Sequence, residues 1–206
     1  MYIEDEFKEE RPDEIQRIIR EFPLASIVAN TENGLVAEHI PVLLRENTHL
    51  LGHVSLSNSL FTQQIIDRQV MCIFKGKNSY ISANYYPSKF EDHKKVPTWN
   101  YQVVHVYGEI QFYSDEKTKL AILGRLTKHH ENLVNGDRAW KMSDAPKDYL
   151  KEMLNHLVAF EIEITKVIAK SKLSQNREQR DFEQVIKELK LRDHHELADS
   201  MKDLNR

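Results

Sequence analysis

The hydrophobic patterning predicts a mainly β, α+β fold: a closed or split barrel with helices inserted between its strands and two more at the C-terminal end. Three observations carry this. Six or seven short segments show strand-like apolar patterning. Asn33-Gly34 lies between two apolar runs, a strong hairpin signal. No Gly-rich turn joins a strand to a helix, as a dinucleotide-binding βαβ fold would need.

The elements follow in order. A helix begins near Pro12, whose fixed φ suits a first turn, and places Ile15, Ile18, Ile19 and Phe22 on one face before Pro23 stops it. Leu24–Ala29 and Leu35–Leu44 read as paired strands about the Asn33-Gly34 turn, and His49–Val54 as a third strand. Leu60, Phe61 and Ile65 mark a short helix capped by Ser57 or Asn58. Val70–Phe74 and Ser79–Ala83 read as two strands separated by Lys75-Gly76-Lys77-Asn78. Gln102–Tyr113 forms a longer strand with Val104, Val106, Gly108, Ile110 and Phe112 on one face. Ser114 caps the next helix, which has Asp115 and Glu116 in its first turn. A helix over Lys147–Leu157 and a strand over Val158–Ile168 come next. Phe182, Val185, Ile186 and Leu189 mark a penultimate helix. Asp193 with Glu196 forms a capping box for the last, which carries Leu197, Met201 and Leu204.

The chain has 206 residues, 40% of them apolar and 30% charged, enough for one large domain or one domain with a helical appendage. Its net charge of −3 argues against a surface that is basic overall. The lone cysteine, Cys72, sits among Val70, Met71, Ile73 and Phe74 and reads as a buried small hydrophobe; one cysteine forms no intrachain disulfide. The acidic start Met1-Tyr2-Ile3-Glu4-Asp5-Glu6 lacks the layout of a signal peptide, and no apolar run reaches membrane-spanning length. The expectation is a cytoplasmic protein.

The most informative stretch is Asn78–Lys89 with Val96–Tyr101. It gathers Tyr80, Tyr85, Tyr86, Trp99 and Tyr101 with hydroxyls, amides and two prolines. On loops leaving a strand, such residues can face a flat ring and an attached phosphate together; an aromatic-rich edge packed for stability alone explains the composition equally well. Lys166, Lys170, Lys172, Arg177 and Arg180, offset only by Glu178, form the most basic stretch, either a solvated tail or a phosphate-binding one.

The chain resembles the PaiB family in Gly52-His53-Val54, Tyr80–Lys89, Val96–Tyr101 and Lys172-Leu173-Ser174-Gln175-Asn176-Arg177. Further matches are His39-Ile40-Pro41, Arg125-Leu126-Thr127 before His130-Glu131, and Ser143-Asp144-Ala145-Pro146. The likeness runs in order from about Met1 to the Arg177 region. Members of that family are described as FMN-binding negative transcriptional regulators with a split β-barrel. The resemblance implies an FMN-binding split-barrel domain over 1–177, with 178–206 as a helical appendage. It assigns His53, Tyr80, Ser82, Trp99 and Asn100 to the flavin ring and ribityl neighbourhood. Lys89, Lys172, Gln175 and Arg177 become the phosphate and polar-edge candidates. It also implies a homodimer, because split-barrel flavoproteins commonly build the FMN site from both subunits.

No nucleophile elbow or phosphate loop is present. His195-Glu196-Leu197-Ala198-Asp199 misses the zincin pattern by its last residue, and no metal site is expected. Residues 178–206 hold eight acidic against six basic side chains, which speaks against direct reading of DNA by the last helices and leaves a protein partner open. Three functions stand: a regulator acting through flavin occupancy or redox state, an FMN-dependent oxidoreductase whose regulatory effect is indirect, or a haem-binding split barrel with His53 or His105 as axial ligand.

Overall fold

The computed structural model describes residues 1–204. In chain order its elements are β1 (Lys8–Glu9), α1 (Pro12–Glu21), β2 (Leu24–Thr31), β3 (Gly34–Pro41), β4 (Leu43–Arg45) and β5 (His49–Ser55). Then come α2 (Ser59–Thr62), β6 (Ile65–Ile81), α3 (Lys89–Asp92), β7 (Thr98–Tyr113) and α4 (Glu116–Asn135). The chain closes with α5 (Lys147–Leu154), β8 (Leu157–Lys172), α6 (Gln179–Lys190) and α7 (His195–Lys202). The sheet order is β3-β2-β6-β7-β8-β5-β4, with β1 paired to β8. Two compact units divide the chain: Met1–Glu21, Lys75–Val104 and Ile168–Arg206 form one, Phe22–Phe74 and His105–Val167 the other. No described helix is long and apolar enough to cross a membrane.

In the unit built from Phe22–Phe74 and His105–Val167, β2 and β3 pair antiparallel from Leu24↔Pro41 to Thr31↔Gly34. The connecting residues are Glu32 and Asn33, one position earlier than expected. The Thr31 hydroxyl donates to the Gly34 carbonyl at 2.7 Å, and Gly34 takes φ +107°, where a side chain would be strained. The partner strand is broken at Val42, whose amide donates to the Pro23 carbonyl. Asn58, one of the two expected caps, accepts from the Leu60 amide. The cap of α4 is Asp115 and not Ser114: its carboxylate accepts from the Thr118 amide at 2.9 Å. Ile122 and Leu126 on α4 pack with Leu51 and Ala159, and Leu43 and Tyr113 lie against them. Phe112 stands edge-on to both Phe61 and Phe160. Cys72 is fully buried, and desolvation pushes its thiol up to about 12, an inert core residue as expected.

The two strands expected over 70–83 are a single strand, β6, which runs straight through Lys75-Gly76-Lys77-Asn78. Strand β7 starts four residues before the expected Gln102, and β8 runs four residues past Ile168. In β6 and β8 residues with weak strand propensity continue the strand within the sheet, whereas Thr98, Trp99 and Tyr101 at the start of β7 favour strands themselves.

In the other unit, β1 meets β8 at Lys8↔Lys170 and Glu9↔Ala169. Phe182, Val185, Ile186 and Leu189 of α6 and Leu197, Ala198 and Met201 of α7 share one core with Ile81, Tyr86 and Leu173. No capping box starts α7. Asp193 instead ends α6: it sits at φ +61°, its amide reaches the Lys190 carbonyl, and the His194 amide reaches that of Leu189. This is a Schellman closure with Asp193 in the left-handed position.

A polar layer ties α1 to the strands. Arg17 donates to both oxygens of Glu14 at 2.8 Å, and the Gln102 amide donates to Glu14 at 2.6 Å and to Ser171 at 3.1 Å. These partners, Arg17 foremost, hold the Glu14 carboxyl below its ordinary value against the opposing pull of burial. A lowered carboxyl stabilises the fold fully above its unfolded value, and that contribution is lost as pH falls through the folded value. Melting followed from pH 7 to pH 3 should therefore drop for the parent below about pH 4.3. Glu14→Gln should start lower at neutral pH and fall less steeply, the two curves converging in acid.

Candidate functional site

Strand alternation places Tyr80 of β6 and Trp99 of β7 at the surface, between buried neighbours Ser79 and Ile81 on one strand and ahead of buried Asn100 on the other. Their exposures are 48% and 52%, and the rings meet edge to face at 6.2 Å and 72°. Two large aromatics left half in water by adjacent strands make a wall that another flat ring can cover.

Polar groups at the end of β8, distant in sequence, reach the first residues of β7. Lys172 at the end of β8 donates to the Thr98 hydroxyl at 2.7 Å, with the Phe7 ring 5.7 Å from its ammonium. Its neighbour Lys170 is paired with Glu4 and lies over the rings of Tyr2, Phe7 and Tyr101. Gln175 donates to the backbone carbonyls of Glu6 and Ser171 and accepts from the Leu173 amide, so it fixes the turn after β8. The Arg177 guanidinium stacks on the Tyr86 ring at 4.9 Å. Asn100 is fully buried and exchanges hydrogen bonds with the Ser174 hydroxyl at 2.9 and 3.0 Å. Ser174, at φ +63°, is thereby held in a left-handed bend.

The remaining candidates lie apart from these contacts. Ser82 caps the 3-10 turn at Ala83–Tyr85 by accepting from the Asn84 amide. Lys89 bonds the Asn84 side chain and lies 5.4 Å from the Phe90 ring. His53 is on β5 in the other unit; its Nδ1 is buried without a partner, and burial pushes the imidazole towards its neutral form. The structure thus brings Tyr80 to Trp99, Lys172 to Thr98 and Asn100 to Ser174, and leaves Ser82 and Lys89 within their own segment.

Two participants were missed from sequence. Thr98 was inside the run that drew attention, but nothing local names it as the partner of Lys172. Asp181 is 1% exposed and accepts from the Ser88 amide at 3.0 Å and the Ser88 hydroxyl at 2.5 Å, pinning the 83–92 segment to α6. Its signal was available: it lies four residues before buried Val185, on the inward face of the helix. Among the described residues no group of three or more His, Cys, Asp and Glu is placed to hold a metal.

The chain matches the family model described as "Putative FMN-binding domain" over residues 1–166. It is 31% identical to protease synthase and sporulation protein PAI 2 of Bacillus subtilis (strain 168), across 92% of this chain and 89% of that protein. The chain belongs to the PaiB family. Among solved structures it resembles the flavocytochrome Anf3 of Azotobacter vinelandii, with a TM-score of 0.60 and 15% identity over 86% of this chain and 75% of that one. It also resembles the FAD- and haem-binding protein of Mycobacterium smegmatis, with a TM-score of 0.56 and 15% identity over 80% and 73%. These likenesses give the PaiB-type chain a split-barrel fold, mainly antiparallel strands with helices. FMN is the cofactor that membership of the family brings. The residues present suit it: an uncovered aromatic wall for a flat ring, and an ammonium beside a hydroxyl for an anion.

Proposed function

We propose that this PaiB-family chain is an FMN-binding regulatory protein of the cytoplasm, working as a homodimer through flavin occupancy or redox state. The observation that supports it best is the Tyr80–Trp99 pair, two half-exposed aromatic rings set edge to face on adjacent strands, which a flat ring can cover. When bound, FMN supplies a ring that takes up and returns electrons. In this reading His53, Tyr80, Ser82, Trp99 and Asn100 form the ring and ribityl neighbourhood, Asn100 by holding the Ser174 bend. Lys89, Lys172, Gln175 and Arg177 serve the phosphate and polar edge, Gln175 by fixing the turn that carries Arg177.

The first test is the visible spectrum of the protein after FMN addition and gel filtration. Retained flavin supports the reading; its loss removes it. Trp99→Ala should weaken FMN about tenfold, a loss of about 1.4 kcal/mol, while leaving the melting temperature nearly unchanged because the ring is half exposed. Lys172→Ala should weaken it by about 1.5–3 kcal/mol, the worth of a charged hydrogen bond. Both are read by fluorescence titration, and parent-like affinity in both variants removes the assignment. Sedimentation tests the dimer: a monomer with full flavin occupancy refutes it. Rapid bleaching by NADH or NADPH would favour an FMN-dependent oxidoreductase with an indirect regulatory effect.

A second reading, haem binding, rests on His53 and His105. Each has a buried Nδ1 without a partner and is pushed towards the neutral form by burial, the form that ligates iron. Two structural neighbours are named as a flavocytochrome and a haem-binding protein. A Soret band that disappears in His53→Ala would favour it.

A further inference from the structure

Helix α4 carries a glycine that the fold does not require. Gly124 sits mid-helix, where glycine costs about 1 kcal/mol relative to alanine. A Cβ there would meet nothing nearer than the Met142 sulfur at 3.9 Å, so no close approach demands its absence. Beside it is a hollow of about 360 Å³ whose apolar lining includes Gly124, Ala139, Trp140 and Met142. Trp140 is 44% exposed and held in place, its amide donating to the Glu131 carboxylate at 2.8 Å.

Lys128 and Asn132 line this hollow and also a second one, of about 450 Å³. The second has Leu43, Leu44 and Leu51 along it and gathers Arg45, Arg125, Lys128 and His129 against the single carboxylate of Glu46. Arg45 is satisfied by Glu161 at 2.6 Å. No carboxylate among the described residues pairs with Arg125 or Lys128. One helix edge therefore joins an open apolar slot, walled by an indole, to two uncompensated cations.

We propose that the two hollows form one composite site for a flat aromatic anion. Its ring lies against Trp140 and Met142 in the space that Gly124 keeps open, and its carboxylate or phosphate lies at Arg125 and Lys128. The guanidinium suits a planar or tetrahedral oxyanion, and the indole suits a stacked ring. The site shares no residue with the Tyr80–Trp99 wall, and its existence does not depend on the flavin reading.

The test is calorimetric titration of 2-naphthoate into the full chain, with and without saturating FMN. 2-Naphthalenemethanol and inorganic phosphate serve as neutral and ring-free probes. We expect 2-naphthoate to bind in both conditions and more tightly than either control. Gly124→Leu fills the slot with a better helix former and should weaken 2-naphthoate at least tenfold without lowering the melting temperature. Arg125→Gln and Lys128→Gln should weaken it at least tenfold and leave 2-naphthalenemethanol unchanged. Parent-like affinity in Gly124→Leu overturns the proposal, as does phosphate binding as tightly as 2-naphthoate. Displacement of 2-naphthoate by FMN also overturns it, because the two would then share one site.

Discussion

Gly108→Ala should destabilise the protein by roughly 3 kcal/mol or more, at the upper end for overpacking. A Cβ on Gly108 would stand 2.3 Å from the Glu163 carbonyl oxygen and 2.7 Å from Ile162 Cγ2. Neither can retreat, because Ile162 and Glu163 are in register with Leu50 and His49 on the far side of β8. Gly52→Ala makes an instructive contrast. Its Cβ would lie 2.3 Å from Cζ of the buried Phe160 ring, its cross-strand partner, and a side chain can be exchanged where a backbone cannot. Phe160→Leu should recover part of the loss in Gly52→Ala and none in Gly108→Ala. Urea denaturation of the four variants checks this, and equal recovery in both backgrounds would refute the backbone argument.

Asp181→Ala should cost roughly 3 kcal/mol, since it removes a charged acceptor and strands the buried Ser88 amide. At about 2–4 °C per kcal/mol for a chain of this size, the melting temperature should fall by about 6–12 °C. Ser88→Ala removes only the hydroxyl bond and should lose about 1 kcal/mol. In the double variant the second change should add little, because its partner is already gone. FMN retention should fall further in Asp181→Ala than in Ser88→Ala, since Ser82 and Lys89 lie on the segment that Asp181 holds. Equal flavin affinity in the two would separate the latch from the cofactor site.

Where a residue's neighbours in sequence are also its neighbours in space, pattern reading succeeds. The helix from Pro12 emerges from the spacing of its isoleucines, and the strand around Val104–Phe112 from its alternation, because each buries one face. It failed where a distant partner decides. Lys75-Gly76-Lys77-Asn78 has the composition of a turn, yet the sheet carries it as part of β6, beyond the last β2 pairing at Ile73. Asp193 fits a helix start by sequence spacing, but the same residue type tolerates the left-handed conformation that ends the helix before it. In the site, the exposed ring of Trp99 was legible as an aromatic in a polar run. The burial of Asn100, its immediate neighbour, depends on Ser174, far along the chain. Family likeness supplied the segments, while the contacts made within them, such as Lys172 to Thr98, needed the packing.

The division of the chain into interleaved segments has a consequence for its synthesis. Strand β5 acquires its β8 partner only when residues 157–163 exist, and β1 waits for Ala169 and Lys170. Neither unit is encoded by one continuous stretch: every segment of the unit that starts at Phe22 exists once Val167 is made, whereas the unit that starts at Met1 still waits for the residues from Ile168 on. Pairings between such distant positions make folding slow and leave strand edges open in the meantime. The segments of the unit that starts at Met1, though made earliest, therefore stay unpartnered longest, and the strand edges they carry are the ones a ribosome-bound chaperone would meet.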